Sequence, residues 1–154
     1  MRKHFRKGFT VMSVKQISVF LENKAGRLAD VTRVLGSNNI DISALSIADT
    51  THFGILRLIV SDPDAAENIL RDAGFTVSSS QVLAIAIEDT AGSLAVALDA
   101  LNAKDIGVDY IYAFVGKTQS KALVIFRVEN IPAAIEVLTK AGLAVLKDEE
   151  VYSL

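Results

Sequence analysis

The chain repeats itself, and this internal repeat restricts its fold more than any other feature of the sequence. The turn around Gly26 is matched by a turn around Gly92, which lies 66 residues later (92 − 26). Further along, Gly74 is matched by Gly142 at an offset of 68 residues (142 − 74), so the second copy contains two additional residues. Self-similarity at a fixed period is typical of a supersecondary unit that occurs more than once. The sequence therefore predicts two related units within its 154 residues.

Both copies show the same order of hydrophobic periodicities: strand, helix, strand, strand, helix, strand. In the first copy, Ile17, Val19 and Leu21 alternate as in a strand, whereas Val31 and Leu35 recur at helical spacing. The predicted elements of this copy are a strand at 16–21, a helix at 26–37, strands at 40–47 and 53–60, a helix beginning at 63 and a strand at 75–79. Right-handed crossovers fold this order into an antiparallel sheet with both helices on one face. We therefore expect an α+β protein in which a ferredoxin-like βαββαβ unit occurs twice, as antiparallel sheets with helices on one face.

The junction between the two copies is short. We place an N-terminal tail at residues 1–14, the first domain at 15–80 and the second domain at 81–154. No linker rich in proline or glycine separates Ser80 from Val82. Such a junction predicts two units that pack rigidly together. The hydrophobic patterning begins at Met12, so both Met1 and Met12 are candidate starts of translation.

The composition excludes several classes of function. The chain has no cysteine, which rules out disulfides, thiolate metal sites and cysteine nucleophiles. Its two histidines, His4 and His52, belong to no cluster with metal-ligand spacing, and the sequence has no phosphate-binding glycine loop. No apolar run reaches the ~20 residues of a membrane helix. We therefore predict a cytoplasmic protein that is not an enzyme, with no catalytic residues, no metal, no cofactor and no membrane partner.

The distribution of charge argues against nucleic acid as a partner. The tail contains four basic residues, namely Arg2, Lys3, Arg6 and Lys7, and is expected to be a solvated extension. Without them the chain has 12 basic residues (16 − 4) against 18 acidic ones, a net charge of −6. An acidic body repels phosphate backbones. The order of elements also fits an RRM-like RNA-binding module, but the third strands lack the glycine–aromatic pattern on which bases stack.

The turn between the first strand and the first helix of each copy has the chemistry to bind a zwitterion. Gly26 and Gly92 stand at helix starts, where unpaired N–H groups and the helix dipole attract a carboxylate. Asn23 and Asp89 are close in sequence and could accept hydrogen bonds from an ammonium group. The alternative is structural, because asparagine and aspartate are ordinary helix caps and glycine often only turns the chain. The residues alone leave both interpretations open.

The same stretch resembles the opening of an ACT domain. Residues 19–28 read as an apolar strand, a short acidic or amide turn, a glycine and a helix led by leucine, and residues 38–42 resemble the second strand of that family. The second copy shows both features again at residues 89–94 and 105–108. The resemblance extends over residues 15–154 and is strongest to small stand-alone proteins that consist of an ACT pair. It implies an amino acid bound at the interfaces between domains.

Carried over by position, the resemblance assigns ligand binding to the two turns and to the strand that follows each helix. The candidates are Asn23, Lys24, Ala25, Gly26, Arg27, Leu28, Ile40 and Ile42 in the first copy, and Asp89, Thr90, Ala91, Gly92, Ser93, Leu94, Ile106 and Val108 in the second. Because Ser93 stands where the first copy has Arg27, we expect the two sites to differ. The predicted function is that of an amino-acid-binding regulatory protein, with a free amino acid and a second copy of the chain as partners. The alternative is a regulatory subunit of an amino-acid biosynthetic enzyme such as acetolactate synthase.

Two further features of the strands are predicted to be structural. Tyr110, Tyr112 and Phe114 alternate on one face of the second copy's second strand, which indicates packing in a core or between subunits more than a pocket. Arg57 lies within an apolar strand, where a salt bridge or exposure on the open sheet face is the usual arrangement.

Overall fold

The elements follow the predicted order in both copies, and a short helix is added at the end. The computed structural model describes residues 12–50, 52–115 and 120–154, so the basic residues of the predicted tail lie outside it. The elements are β1 (Val14–Glu22), α1 (Arg27–Ser37), β2 (Ile42–Asp49), β3 (Phe53–Val60), α2 (Pro63–Asp72), β4 (Thr76–Glu88), α3 (Ser93–Asn102), β5 (Val108–Ala113), β6 (Lys121–Val128), α4 (Ile131–Lys140), β7 (Ala144–Val145) and α5 (Asp148–Tyr152). The predicted α+β class with a repeated ferredoxin-like unit is confirmed.

The second helix of each copy begins as its sequence predicts. At the start of α2, Asp62 Oδ1 accepts a hydrogen bond from the Ala65 N–H at 3.1 Å. At the start of α4, Asn130 Oδ1 accepts from the Ala133 N–H at the same distance of 3.1 Å. Gly74 then ends α2 with a φ of 89°, the left-handed conformation that glycine adopts without strain. The caps therefore act at equivalent positions in the two copies.

The first helix of each copy ends at a residue that is not glycine. Asn39 has a φ of 57° and Asp105 a φ of 56°, and both follow the last turn of a helix. The Ile40 N–H donates to the Leu35 carbonyl at 3.0 Å, a bond that closes the end of α1. The strand that we predicted from residue 40 therefore starts at Ile42, because the backbone of Ile40 still belongs to the helix end.

One strand joins the two copies. The sheet follows a single path, β2-β3-β1-β4-β6-β5, with β7 paired to β4. Within β4, Val82 pairs with Val14 of β1, and the next residue, Leu83, pairs with Phe126 of β6. The two strands predicted on either side of the junction thus form one strand of 13 residues. The predicted boundary between residues 80 and 81 falls inside it, and no turn residue there interrupts the ladder.

Helices α1 to α4 pack on one face of the sheet, where α1 and α2 cover a first hydrophobic core and α3 and α4 a second one. The first core has Ile17, Leu35, Leu56 and Leu70 among its fully buried residues, and the second has Leu83, Leu101, Phe126 and Leu138. Each set combines residues that alternate on strands with residues at helical spacing. In both copies, the face of each strand or helix that the hydrophobic period predicts to be buried therefore lies in the core.

A third core lies where the opposite faces of the two halves of the sheet meet. It contains Ala44 of β2, Ile59 of β3, Val82 of β4 and Ile125 of β6, all fully buried. The two edge strands also meet, because the Val115 N–H donates to the Ser43 carbonyl at 3.0 Å. The sheet therefore curves until β2 approaches β5, and the two halves face each other with α1 to α4 outside, while Val151 of α5 is buried in the third core.

Buried polar groups lie between the two halves. Gln16 is fully buried, and its Nε2 donates to Tyr110 Oη at 2.8 Å and to Ser80 Oγ at 3.3 Å. Tyr112 Oη donates to Gln16 Oε1 at 2.7 Å. The Arg57 guanidinium stacks 3.7 Å from the centroid of the Tyr110 ring, so the salt bridge or exposure predicted for Arg57 is replaced by a cation–π contact. The aromatic face of β5 is thus part of the packing between the copies.

Candidate ligand site at the two glycine turns

The two glycines of the predicted site adopt the same conformation. Gly26 has φ 89° and ψ −17°, and Gly92 has φ 89° and ψ −12°, so each occupies the left-handed region at the N-cap of its helix. A Cβ added to either residue would meet no atom of the described chain within 4 Å. Glycine is therefore required by the backbone conformation, and the space beside it is open.

The starts of α1 and α3 lack the side-chain caps found at α2 and α4. Within the described residues, no side chain caps the N-terminus of α1 or of α3. The structure thus does not support the capping interpretation of Asn23 and Asp89. Their backbones have a different role: the Asn23 N–H donates to the His52 carbonyl, and the Asp89 N–H to the Ser120 carbonyl, both at 3.0 Å. These bonds hold each turn to the start of the neighbouring strand.

The first turn carries several charged groups. Lys24 pairs with Glu22 at 2.7 Å and holds the pKa of that carboxyl below its usual value through a hydrogen bond. The Arg27 guanidinium lies 4.7 Å from the centroid of the Phe75 ring, and its Nη1 is 3.7 Å from Asp30 Oδ2. Arg27 Nε is buried and has no hydrogen-bond partner within the described chain. One donor near the helix start is therefore unsatisfied.

The second turn lacks a charged side chain at the position equivalent to Arg27. Thr90 Oγ1 and Ser93 Oγ share a hydrogen bond of 2.8 Å, and Ser93 occupies the place of the first copy's arginine. The strand beside this turn carries an ion pair between Lys121 and Glu88. The backbones of the two turns therefore match, whereas their side chains differ as the sequence predicts.

The other predicted residues lie away from the turns within each copy. Ile40 is buried in the first core, and Ile42 packs against it, while Ile106 and Val108 pack against the second core. All four follow the C-terminal end of a helix, whereas the glycines stand at its N-terminal end. An 11-residue helix is about 16 Å long, so one copy does not bring both groups of residues together.

Exposed apolar side chains near the sheet edge were not singled out from the sequence. Leu45 on β2 and Ile111 on β5 occupy equivalent positions (111 − 45 = 66), and each is 37% exposed. In the first copy, Ile47 further along β2 is also exposed, as is Leu28, one of the predicted ligand residues beside the turn. The repeated position of Leu45 and Ile111 in the alignment of the two copies is the signal that could have found them.

Neither of two sizeable cavities in the structure includes a glycine turn. One cavity of about 690 Å³ lies between α3 and α4, and another of about 540 Å³ lies beside the start of α2 and α5. Residues 12–50, 52–115 and 120–154 contain no cluster of acidic or histidine side chains that could hold a metal ion. No helix in the described part of the chain is long and apolar enough to cross a membrane.

These features define a class of protein: a pair of βαββαβ units that share one strand and repeat one glycine turn at a helix start. A family model described as ACT domain pair matches residues 12–154. The chain belongs to this family, which confirms the resemblance seen in residues 15–154.

Solved structures show the same fold. Protein BT0572 from Bacteroides thetaiotaomicron is 42% identical with a TM-score of 0.89, and the match covers 95% of this chain and 100% of that one. The regulatory subunit of aspartate kinase from Thermus thermophilus is 16% identical with a TM-score of 0.58, covering 82% of this chain and 91% of that one. The corresponding subunit from Thermus flavus is 16% identical, also with a TM-score of 0.58, covering 83% and 92%. The two Thermus proteins share the fold alone with this chain. No curated protein matches it at a significant level.

Proposed function

We propose that this protein binds a free amino acid at its glycine turns and acts as a regulatory protein. The observation that carries the proposal is the uncapped helix start with an open left-handed glycine, which occurs in both copies. Backbone N–H groups there suit a carboxylate, and the neighbouring Asn23 or Asp89 suits an ammonium group. The regulatory subunits of aspartate kinase share this fold, which supports a regulatory role.

The proposed site is completed by a second copy of the chain. The space beside each glycine is open, and a second protomer there would exclude water from a small ligand. The equally exposed Leu45 and Ile111 provide apolar surface for such contact. The same arrangement would bring a turn of one protomer beside a strand of its partner.

A thermal-unfolding scan against the twenty amino acids tests the proposal. A ligand at 100 times its Kd stabilises the folded state by ~2.7 kcal/mol, which for a chain of this size raises the Tm by about 5–10 °C. We expect one amino acid, or a few related ones, to give this shift. Gly26→Trp and Gly92→Trp should remove it, because the indole fills the open space at the helix start.

Gly74→Trp is the matched control for these variants. Gly74 has the same φ of 89° and the same empty surroundings, but it stands at the end of a helix. It should lose a similar amount of stability through backbone strain and keep the full shift with ligand. The proposal fails if no amino acid raises the Tm, or if all three variants respond alike.

The regulated partner is proposed to be an amino-acid biosynthetic enzyme, and the cytoplasm to be the compartment where the two meet. Acetolactate synthase is one example of such an enzyme. The purified chain, added to the catalytic subunit of that enzyme from the same organism, should change its inhibition by an amino acid. The glycine variants should remove this effect, and an unchanged inhibition curve would reject this partner.

A further inference from the structure

A groove in the second copy lies apart from the glycine turns. It is a cavity of about 690 Å³ between the end of α3 and the start of α4. That volume is within the range of small-molecule sites, roughly 300–1,000 Å³. Ala100 lies eight residues after Gly92 (100 − 92), so the groove begins about 12 Å along the helix from that turn. It is therefore a separate place on the molecule.

The repeat shows two groove positions at which the second copy has the smaller side chain. Ala100 and Val137 line the groove, and the first copy has Val34 and Ile69 at the equivalent positions (offsets 66 and 68). Val34 and Ile69 pack against the first core. The second copy is therefore smaller by three carbons at the apolar floor of the groove.

Three positions at the rim of the groove are charged only in the second copy. Lys104, Asp105 and Glu129 line it, where the first copy has Asn38, Asn39 and Ser61. Among the described residues, neither Lys104 nor Glu129 forms an ion pair, in contrast to Lys140, which binds Glu136 at 2.6 Å across the same groove wall. The pKa of Glu136 is lowered mainly by its hydrogen bond with Lys140 and less by the charge of Lys104. Lys104, Asp105 and Glu129 therefore lie at the edge of an apolar floor, outside that ion pair.

We propose that this groove is a second binding site, which takes a compact zwitterion with an apolar side chain. The ligand's side chain lies on Ala100 and Val137, its carboxylate meets Lys104, and its ammonium group meets Glu129. This site is formed within one copy and does not use the glycine turns. This proposal can therefore be tested separately from the function proposed above.

NMR titration of the amide signals with leucine, valine, methionine and phenylalanine tests the site. We expect at least one of them to shift the signals of Ala100, Lys104 and Val137 saturably. The amide of that amino acid and its analogue without the amino group should bind about tenfold more weakly, because each lacks one charged contact. The absence of saturable shifts with all four amino acids would overturn the proposal.

Variants taken from the first copy separate this site from the glycine turns. The filled variant, Ala100→Val with Val137→Ile, adds three carbons to the apolar floor on which the ligand's side chain lies. Both new side chains occur at the equivalent positions of the first copy, so the variant should remove the shifts while the Tm is kept. Lys104→Asn should weaken binding about tenfold. Gly92→Trp should leave the groove signals unaffected. Shifts that persist in the filled variant, or that vanish in Gly92→Trp, would contradict the proposal.

Discussion

Gln16 connects the two copies, because its amide lies between Ser80 of the first copy and the tyrosines of β5. Gln16→Leu keeps a similar volume but removes the hydrogen-bond partner of both tyrosine hydroxyls. Leaving buried polar groups unsatisfied costs about 1–3 kcal/mol each, so we expect a loss of about 2–3 kcal/mol in the free energy of unfolding, measured by urea denaturation.

Removal of the two tyrosine hydroxyl groups provides the control for Gln16→Leu. Adding Tyr110→Phe and Tyr112→Phe to Gln16→Leu removes the unsatisfied atoms and leaves an apolar contact. The triple variant should recover most of the lost stability, since removing both partners of a buried bond can be nearly neutral. A triple variant less stable than Gln16→Leu would show that the hydrogen bonds are not the source of the loss.

The stability of the protein should fall in alkaline solution because of Tyr112. Burial raises the pKa of Tyr112 above its ordinary value, and the neighbouring Tyr110 adds to the rise. In the unfolded chain this phenol loses its proton near pH 10, whereas the folded protein retains it. Between these two pKa values the unfolded state binds fewer protons, so stability decreases as the pH rises. The free energy of unfolding should therefore decline above about pH 10, and less steeply in Tyr112→Phe. Equal slopes in both proteins would reject this assignment.

At the scale of elements, β4 makes the two copies one cooperative unit. Because its 13 residues pair with β1 and then with β6, unfolding of one copy frees a strand of the other. The caps at Asp62 and Asn130 allow a test in each copy. Asp62→Ala and Asn130→Ala should each cost about 1 kcal/mol.

Calorimetry distinguishes a shared transition from two separate ones. Both cap variants should lower the Tm of a single transition by a similar amount, with the calorimetric enthalpy equal to the van't Hoff enthalpy. A variant that splits the transition in two, with only one part displaced, would show that the copies unfold independently.

At the scale of the whole molecule, the edges of the sheet give a specific prediction about association. The sequence predicts a homodimer because open edges of a sheet tend to be covered, but β2 and β5 meet each other within the chain through Ser43 and Val115. The proposed dimer therefore depends on the exposed apolar side chains of β2 and β5. Leu45→Lys with Ile111→Lys should weaken the dimer at least about tenfold, as measured by sedimentation at several concentrations.

Val96→Lys is the control for the dimer prediction. Val96 is 55% exposed on α3, outside the edge strands. The same charge there should leave the dimer intact. A wild-type chain that sediments as a monomer at every concentration would remove the second protomer from the proposed site.

The sequence alone determined the repeat, the order of elements and the position of the two glycine turns. These features follow from local chemistry: the alternation around Ile17, the cap at Asp62, and glycine where φ is positive. Local patterns also indicated the aromatic face of β5, but not what it would pack against.

Only the tertiary structure decided that β4 is continuous, that Gln16 lies between the copies, and that Ile40 and Ile42 lie far from the turns in the same copy. It also showed that the groove beside Ala100 is open where Val34 fills the equivalent position. Each of these features depends on which distant segments of the chain meet. The hydrophobic pattern of the sequence shows which face of an element a residue lies on, but not which residues it contacts across the core. The physical reason is that periodicity follows from the geometry of one element, whereas contacts between elements follow from the way all of them pack together.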